Sequence, residues 1–163
     1  MRAELEQKLN AIWYGAEAVP FWLKPLAAVY RAGQALDRAR QLRQQPEDLR
    51  TAPIVVIGNL TAGGTGKTPL VIRVCELLAA AGLKAGVISR GYGRRDERLL
   101  RFGPADRPED AGDEPLLIAR RTGAPVIVAA DRCEAARALL ADGVDVVVAD
   151  DGLQHYRLPR SVE

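Results

Sequence analysis

The chain has 163 residues, of which 48% are hydrophobic and 27% are charged, and its formal net charge is +2. This composition is ordinary for a globular domain with a substantial core, and so small a net charge gives no argument for a nucleic-acid partner. The chain has one histidine, which argues against a histidine-rich metal site. Cys75 and Cys133 do not have the spacing of metal-binding cysteines. Both are expected to be buried thiols in a reducing compartment.

No signal peptide and no membrane span are expected near the start of the chain. Residues 1–10 are strongly charged, and no cleavage-like segment follows them. The longest uncharged run in the first 30 residues covers residues 9–16, far fewer than the roughly 20 apolar residues that a span needs.

Residues 1–45 are richer in aromatic and basic side chains than the rest of the chain. Five of the eight aromatic residues lie in the first thirty, and a helix is predicted from Pro25. Its basic residues are Lys24, Arg31, Arg38, Arg40 and Arg43. Two interpretations stay open: residues 1–43 meet an anionic membrane surface, or the helix packs on the domain with its basic face in water.

A glycine-rich segment, TAGGTGKT at residues 61–68, follows the apolar strand predicted at 54–57 and precedes a helix predicted to end near Ala81. A strand, a glycine-rich loop, Gly-Lys-Thr and a helix together are typical of a phosphate-binding P-loop, although Thr61 replaces the usual first glycine and a chance Gly-Lys-Thr is the alternative. Lys67 is expected to reach the β- and γ-phosphates of ATP, and Thr68 to contact Mg²⁺. The predicted nucleotide-binding residues here are Gly63, Gly64, Thr65, Gly66, Lys67 and Thr68.

Gly82 ends this helix, and a second strand is predicted at 85–89, which makes a β-α-β unit with a right-handed crossover and parallel pairing of its two strands. The arginine-rich segment after that strand should face the P-loop, because ligands bind at the carboxyl ends of parallel strands. Arg90 and Tyr92 are predicted to bind the nucleotide. Arg98 and Arg101 are interpreted as part of a solvated basic loop.

Asp113 lies just before a helical run at residues 116–121. Its position suits a helix N-cap, and that role alone explains an aspartate there. A carboxylate at this place is also able to act as a general base if it faces a substrate hydroxyl.

Further strands are predicted at 125–129 and 144–149, with a helix from Asp131 to Leu140 between them and Asp131 as its N-cap. The last strand leads into Asp150 and Asp151. An apolar strand that ends in aspartate is the Walker B arrangement, so one or both carboxylates are predicted to bind Mg²⁺. His155 follows at the same edge of the sheet and is a further candidate.

The predicted fold is α/β, with a P-loop NTPase-type, mostly parallel sheet and flanking helices, preceded by an N-terminal helical segment. The expected regions are an aromatic and basic segment at 1–45 and a P-loop core at 53–163.

Four blocks resemble the tetraacyldisaccharide 4′-kinase family of lipid A biosynthesis: GNLTAGGTGKTP (58–69), SRGYG (89–93), GDEP (112–115) and DDGLQHY (150–156). IWYG (12–15) is similar to that family's N-terminus. The resemblance implies transfer of the ATP γ-phosphate to the 4′-hydroxyl of a tetraacylated glucosamine disaccharide 1-phosphate, at the cytoplasmic face of the bacterial inner membrane. It implies Asp113 as the catalytic base, with Lys67 and Asp151 also catalytic and Asp150 and Asp151 as the Mg²⁺-associated pair.

Members of that family are about twice as long, with a second α/β half, and that half is expected to be absent from this sequence. The 163 residues alone are therefore expected to show little 4′-kinase activity and to self-associate through an unfinished sheet. Two alternatives stay open, a switch or partitioning ATPase and a nucleotide-binding module without chemistry. Ala62 stands where the signature lysine of the partitioning ATPases would be, which counts against the first.

Overall fold

The computed structural model describes residues 21, 23–50, 52–59, 66–90, 98–103, 105 and 112–163. The helices in these ranges are α1 (Leu23–Arg43), α2 (Glu47–Arg50), α3 (Lys67–Ala80), α4 (Asp113–Thr122) and α5 (Arg132–Ala141). The strands are β1 (Ile54–Ile57), β2 (Ala85–Ser89), β3 (Leu100–Phe102), β4 (Val126–Val128) and β5 (Val146–Asp150).

The five strands form one sheet in the order β1-β5-β2-β4-β3. The pairs β1–β5, β5–β2 and β2–β4 are parallel. β1 and β2 therefore run parallel, as predicted, but the prediction that they pair directly is wrong, because β5 lies between them. β3 pairs with β4 in the antiparallel direction. This strand is not among those predicted, and Arg101, interpreted as part of a solvated loop, lies in it. Three residues give no alternation long enough to show in the sequence.

The predicted strand bounds differ from the observed ones at the third and fourth predicted strands. The prediction of 125–129 becomes Val126–Val128, and that of 144–149 becomes Val146–Asp150. Asp150 is therefore the last residue of a strand that is buried along its whole length. A carboxylate at the end of such a strand loses most of its contact with water, and this loss disfavours its charged form.

Helices cover both faces of the sheet, and each face has its own apolar core. Val71 and Ile72 of α3 and Leu116 of α4 pack with residues of one face, such as Val87. On the other face, side chains of α5 and of α2 pack with a second set of strand residues. Nearly continuous apolar strands are what a sheet covered on both faces requires.

The loops after β1 and β5 pack against each other closely. A Cβ at Gly58 would lie 2.4 Å from Cγ of Leu153, and a Cβ at Gly152 would lie 2.9 Å from Cγ1 of Val56. Neither distance leaves room for a side chain, so both positions favour glycine because of close approach.

The outer edge of β1 is not open along its length. Val162 forms a parallel bridge with Val55, and the Val162 carbonyl accepts a hydrogen bond from the Val56 amide at 2.8 Å. The Ser161 amide donates to the Ile54 carbonyl at 2.8 Å. Residues 161–162 therefore cover part of the outer edge of β1.

By contact density the chain divides into two units, Met1–Arg40 and Gln41–Glu163. In the described part of the first unit, α1 begins at Leu23 rather than at Pro25, and none of its residues is buried. Among the residues described, no helix combines the length and the apolar character needed to cross a membrane.

Candidate active site

Four parallel strands bring their carboxyl ends to one edge of the sheet, and the predicted functional residues follow them. α3 starts after the loop that follows β1, Asp151 follows β5, Arg90 follows β2, and Arg132 lies beyond β4. In open α/β sheets this edge is where ligands bind, so the topology alone assembles one site from distant segments.

Lys67 and Asp151 are joined directly, although 84 positions separate them in the sequence. The Lys67 ammonium donates a hydrogen bond to Oδ1 of Asp151 at 2.6 Å. Gly66 takes a left-handed conformation, φ 78°, and caps α3, so Lys67 stands at the first position of the helix. The hydrogen bond with Asp151 raises the pKa of Lys67 in spite of partial burial. The charges of Asp150 and Glu114 add to the rise.

Asp150 is buried, with only 4% of its surface exposed, and the Ser89 hydroxyl donates a long hydrogen bond of 3.5 Å to its Oδ2. Burial raises the pKa of Asp150, and the negative charges of Glu114 and Asp151 raise it further. Asp151 leaves the strand with φ 56°, a left-handed conformation that aspartate tolerates better than most residues. The two neighbouring carboxylates therefore lie in different surroundings, one buried and one exposed.

Asp113 is not the N-cap of α4, and that expectation is wrong. The cap is Gly112, with φ 81° and no side-chain cap hydrogen bond, and Asp113 is the first helical residue. Glycine occupies the cap because a positive φ favours it, which shifts the aspartate into the helix. Asp113 is exposed there, and the charge of its neighbour Glu114 reaches both Lys67 and Asp150. The start of α4 thus faces the same site.

The predicted N-cap at Asp131 is confirmed. Its Oδ1 accepts hydrogen bonds from the amides of Cys133 at 2.8 Å and Glu134 at 3.3 Å.

Arg132, which no motif in the sequence points to, lies in this region and is only 2% exposed. Burial lowers the pKa of its guanidinium to about 10, so the group keeps its charge at neutral pH. Burial also lowers the pKa of His155, and the positive charges of Arg132 and Arg90 lower it further. Arg90 and Arg132 therefore place positive charge near His155, beside the carboxylates, and this charge favours the neutral form of the imidazole.

The remaining predicted site residues have different outcomes. Thr68 is the second residue of α3 and is partly exposed. Gly63, Gly64, Thr65 and Tyr92 lie outside the described residues. Arg101, which is not among the predicted site residues, pairs with Asp142 in the turn after α5. Within the described ranges, no group of three or more histidine, cysteine, aspartate or glutamate side chains is arranged to hold a metal ion.

Comparison with known proteins places this geometry in a family. The sequence model of the family tetraacyldisaccharide-1-P 4′-kinase (LpxK) matches residues 19–163. The tetraacyldisaccharide 4′-kinase of Pseudomonas putida is 48% identical over 159 residues, which cover 96% of this chain and 48% of that protein. That of Xylella fastidiosa is 50% identical over 158 residues, covering 96% and 47%. The chain spans about half the length of the curated relatives it matches.

A solved structure agrees with the sequence comparison. The crystal structure of LpxK from Aquifex aeolicus in complex with ATP superposes with a TM-score of 0.72 at 28% sequence identity, covering 85% of this chain and 45% of that one. The predicted P-loop kinase fold is confirmed by this likeness. The chain belongs to the tetraacyldisaccharide-1-P 4′-kinase family.

Proposed function

We propose that the complete gene product is an ATP-dependent lipid kinase. It transfers the γ-phosphate of ATP to the 4′-hydroxyl of a tetraacylated glucosamine disaccharide 1-phosphate in lipid A biosynthesis. The observation that carries the proposal is the 2.6 Å contact of Lys67 with Asp151, since it brings the P-loop lysine and the strand-end carboxylate to one point. The names of the relatives, and the ATP in the Aquifex aeolicus structure, support the reaction class.

In this proposal the nucleotide lies at the start of α3. The backbone of Gly63, Gly64, Thr65 and Gly66 cradles the phosphates, and the helix N-terminus adds partial positive charge. Lys67 exchanges its bond to Asp151 for the β- and γ-phosphates when the nucleotide binds. Arg90 and Tyr92, beyond β2, complete the nucleotide contacts.

The donor set at the strand ends fits Mg²⁺. Asp150, Asp151 and the Thr68 hydroxyl offer only oxygen, which this ion prefers, and Mg²⁺ in kinases usually takes one or two carboxylates together with substrate phosphates. The carboxylates of Asp150, Asp151 and Glu114 also concentrate negative charge, which a divalent cation would neutralise. When bound, the ion supplies charge stabilisation for the phosphates.

Asp113 acts as the general base in this scheme, accepting the proton of the 4′-hydroxyl as the oxygen attacks phosphorus. Its place in the first turn of α4, beside Glu114, whose charge reaches Lys67 and Asp150, supports this role. Lys67 and Asp151 contribute by holding the γ-phosphate and the ion in position.

The direct test supplies the complete gene product with ATP, Mg²⁺ and the tetraacyldisaccharide 1-phosphate, and follows both ADP release and the phosphorylated lipid. We expect one phosphate on the lipid for each ADP formed. ADP release that does not depend on the lipid would support a switch-type ATPase instead. ATP binding without turnover under any condition would support a nucleotide-binding module.

We further propose that residues 1–43 bring the enzyme to its lipid at the cytoplasmic face of the bacterial inner membrane. Leu26, Val29 and Tyr30 of α1 are 66%, 70% and 63% exposed, and basic residues lie along the same helix. Apolar and basic side chains together suit an interface with anionic headgroups.

Deleting residues 1–43 is expected to weaken binding to vesicles with anionic headgroups, and added salt should weaken binding of the intact chain, because the attraction is electrostatic. Arg31→Gln/Arg40→Gln should reduce co-sedimentation with the vesicles. The charge-matched control Arg73→Gln/Arg137→Gln, on α3 and α5, should leave it unchanged. Salt-independent binding, or none by the intact chain, would favour a helix that packs on protein.

A further inference from the structure

Arg132 has a buried guanidinium whose hydrogen-bonding capacity is largely unused. Nη1 makes one long contact, 3.5 Å, to the Ala129 carbonyl. Nε and Nη2 have no hydrogen-bond partner among the residues that the structure describes. Buried donors in folded proteins are nearly always paired, since an unpaired one loses its hydration without compensation. A buried cation with unused hydrogen-bond donors is suited to bind an anionic ligand.

An open volume lies beside this guanidinium. A cavity of about 210 Å³ is lined by Arg132, His155 and Arg157 among others. Arg157 is engaged with Asp131 at 3.6 Å, so one of the cavity's cations is already paired. Arg132 is not, although Asp150 and Asp151 lie near enough to influence it electrostatically.

The fold separates Arg132 from the P-loop by the width of the site. In the strand order β1-β5-β2-β4-β3, the loop before α3 follows β1 and Arg132 follows β4. Three strand spacings lie between them, about 14 Å. α5 also packs on the opposite face of the sheet from α3. Arg132 is therefore on the far side of Asp150 and Asp151 from the phosphate-binding loop.

We propose that Arg132 binds a phosphate group in the cleft, with its two free donors directed to two of the phosphate oxygens. The planar fork of arginine fits a phosphate in this bidentate manner. The inference rests on the proposed kinase function, which supplies two such groups: the γ-phosphate of ATP, and the 1-phosphate that the family name places on the acceptor. Arg132 lies away from the P-loop, and this position distinguishes Arg132 from the residues proposed to hold the rest of the nucleotide.

The test compares Arg132→Met with Arg137→Met in the complete gene product. Arg137 lies on the same helix but is exposed and bonded to Asp48, so its variant removes an equal charge from outside the cavity. Without ligand, Arg132→Met should melt at the same temperature as the unaltered protein or higher, because an unpaired buried charge is replaced by an apolar side chain of similar length. With ligand, it should bind the phosphate group at least about 10- to 100-fold more weakly, the range of one charge-assisted hydrogen bond.

Two ligand series identify the source of the phosphate. A loss of ATP–Mg²⁺ affinity without a loss of ADP–Mg²⁺ affinity assigns the γ-phosphate. A raised KM for the disaccharide 1-phosphate, with none for the same disaccharide lacking that phosphate, assigns the acceptor. Arg132→Lys, which keeps the charge but not the fork, should show an intermediate loss in the same series and covers the case in which the methionine variant fails to fold.

Nucleotide affinities and KM values that are unchanged in both Arg132→Met and Arg132→Lys would overturn the assignment. So would a lower melting temperature of Arg132→Met without ligand together with unaltered ligand binding, which would make Arg132 a structural residue. If the unaltered protein phosphorylates no disaccharide at all, the kinase proposal has failed instead. In that case an ATP–Mg²⁺ affinity that still depends on Arg132 would keep the phosphate assignment.

Discussion

Asp113→Asn in the complete gene product is expected to lower kcat by roughly 10²- to 10⁴-fold, because asparagine cannot accept the proton of the attacking hydroxyl. ATP affinity should be largely retained, since in the proposed mechanism Asp113 acts on the hydroxyl of the acceptor and not on the nucleotide. Single-turnover kinetics with saturating lipid would separate the chemical step from binding.

The position of Asp113 within α4 sharpens this test. Because Gly112 is the cap, removing the Asp113 charge costs only its interaction with the helix dipole, at most about 1 kcal/mol. Glu134→Gln, in the first turn of α5, is the matched control, and it should lose similar stability and keep its kcat. A stability loss in Asp113→Asn with kcat preserved would exclude the role of base.

Lys67→Ala is expected to reduce phosphate transfer by about 10²- to 10³-fold, the usual cost of removing a donor that stabilises charge in the transition state. The substitution also frees Asp151, which is half exposed and will be solvated, so the fold should remain intact. Isothermal titration with ATP–Mg²⁺ and a coupled ADP assay would measure the two effects separately.

Lys84→Ala provides the control for Lys67→Ala, because Lys84 is an exposed lysine before β2, at the opposite end of the strand. Its variant should match the unaltered protein in both assays. Nucleotide affinity and activity that both survive Lys67→Ala would contradict the P-loop assignment.

The sequence predicts correctly those strands and helices whose local residue pattern agrees with the topology of the whole fold. Apolar runs such as 54–57 and 85–89 become parallel strands because helical segments separate them, and right-handed crossovers leave few other arrangements. The meeting of Lys67 with Asp151 then follows from topology, since both lie at strand ends on one edge.

Other features depend on long-range packing, which a local pattern does not record. β3 exists only because three residues find the free edge of β4. Arg132 looks like an ordinary surface residue beside the cap at Asp131, and its burial comes from elements distant in sequence. One signal was present: like Arg90, it is an arginine near the carboxyl end of a parallel strand.

The close packing of the loops after β1 and β5 makes them a single mechanical element. Because no gap separates Gly58 from Leu153, or Gly152 from Val56, the end of β1 and the segment after β5 cannot shift independently. A ligand that displaces Gly58 therefore pushes on the segment that carries Asp151 and His155. This linkage is steric and not electrostatic. High salt weakens the attraction between Lys67 and Asp151 by screening, but it does not weaken the steric linkage.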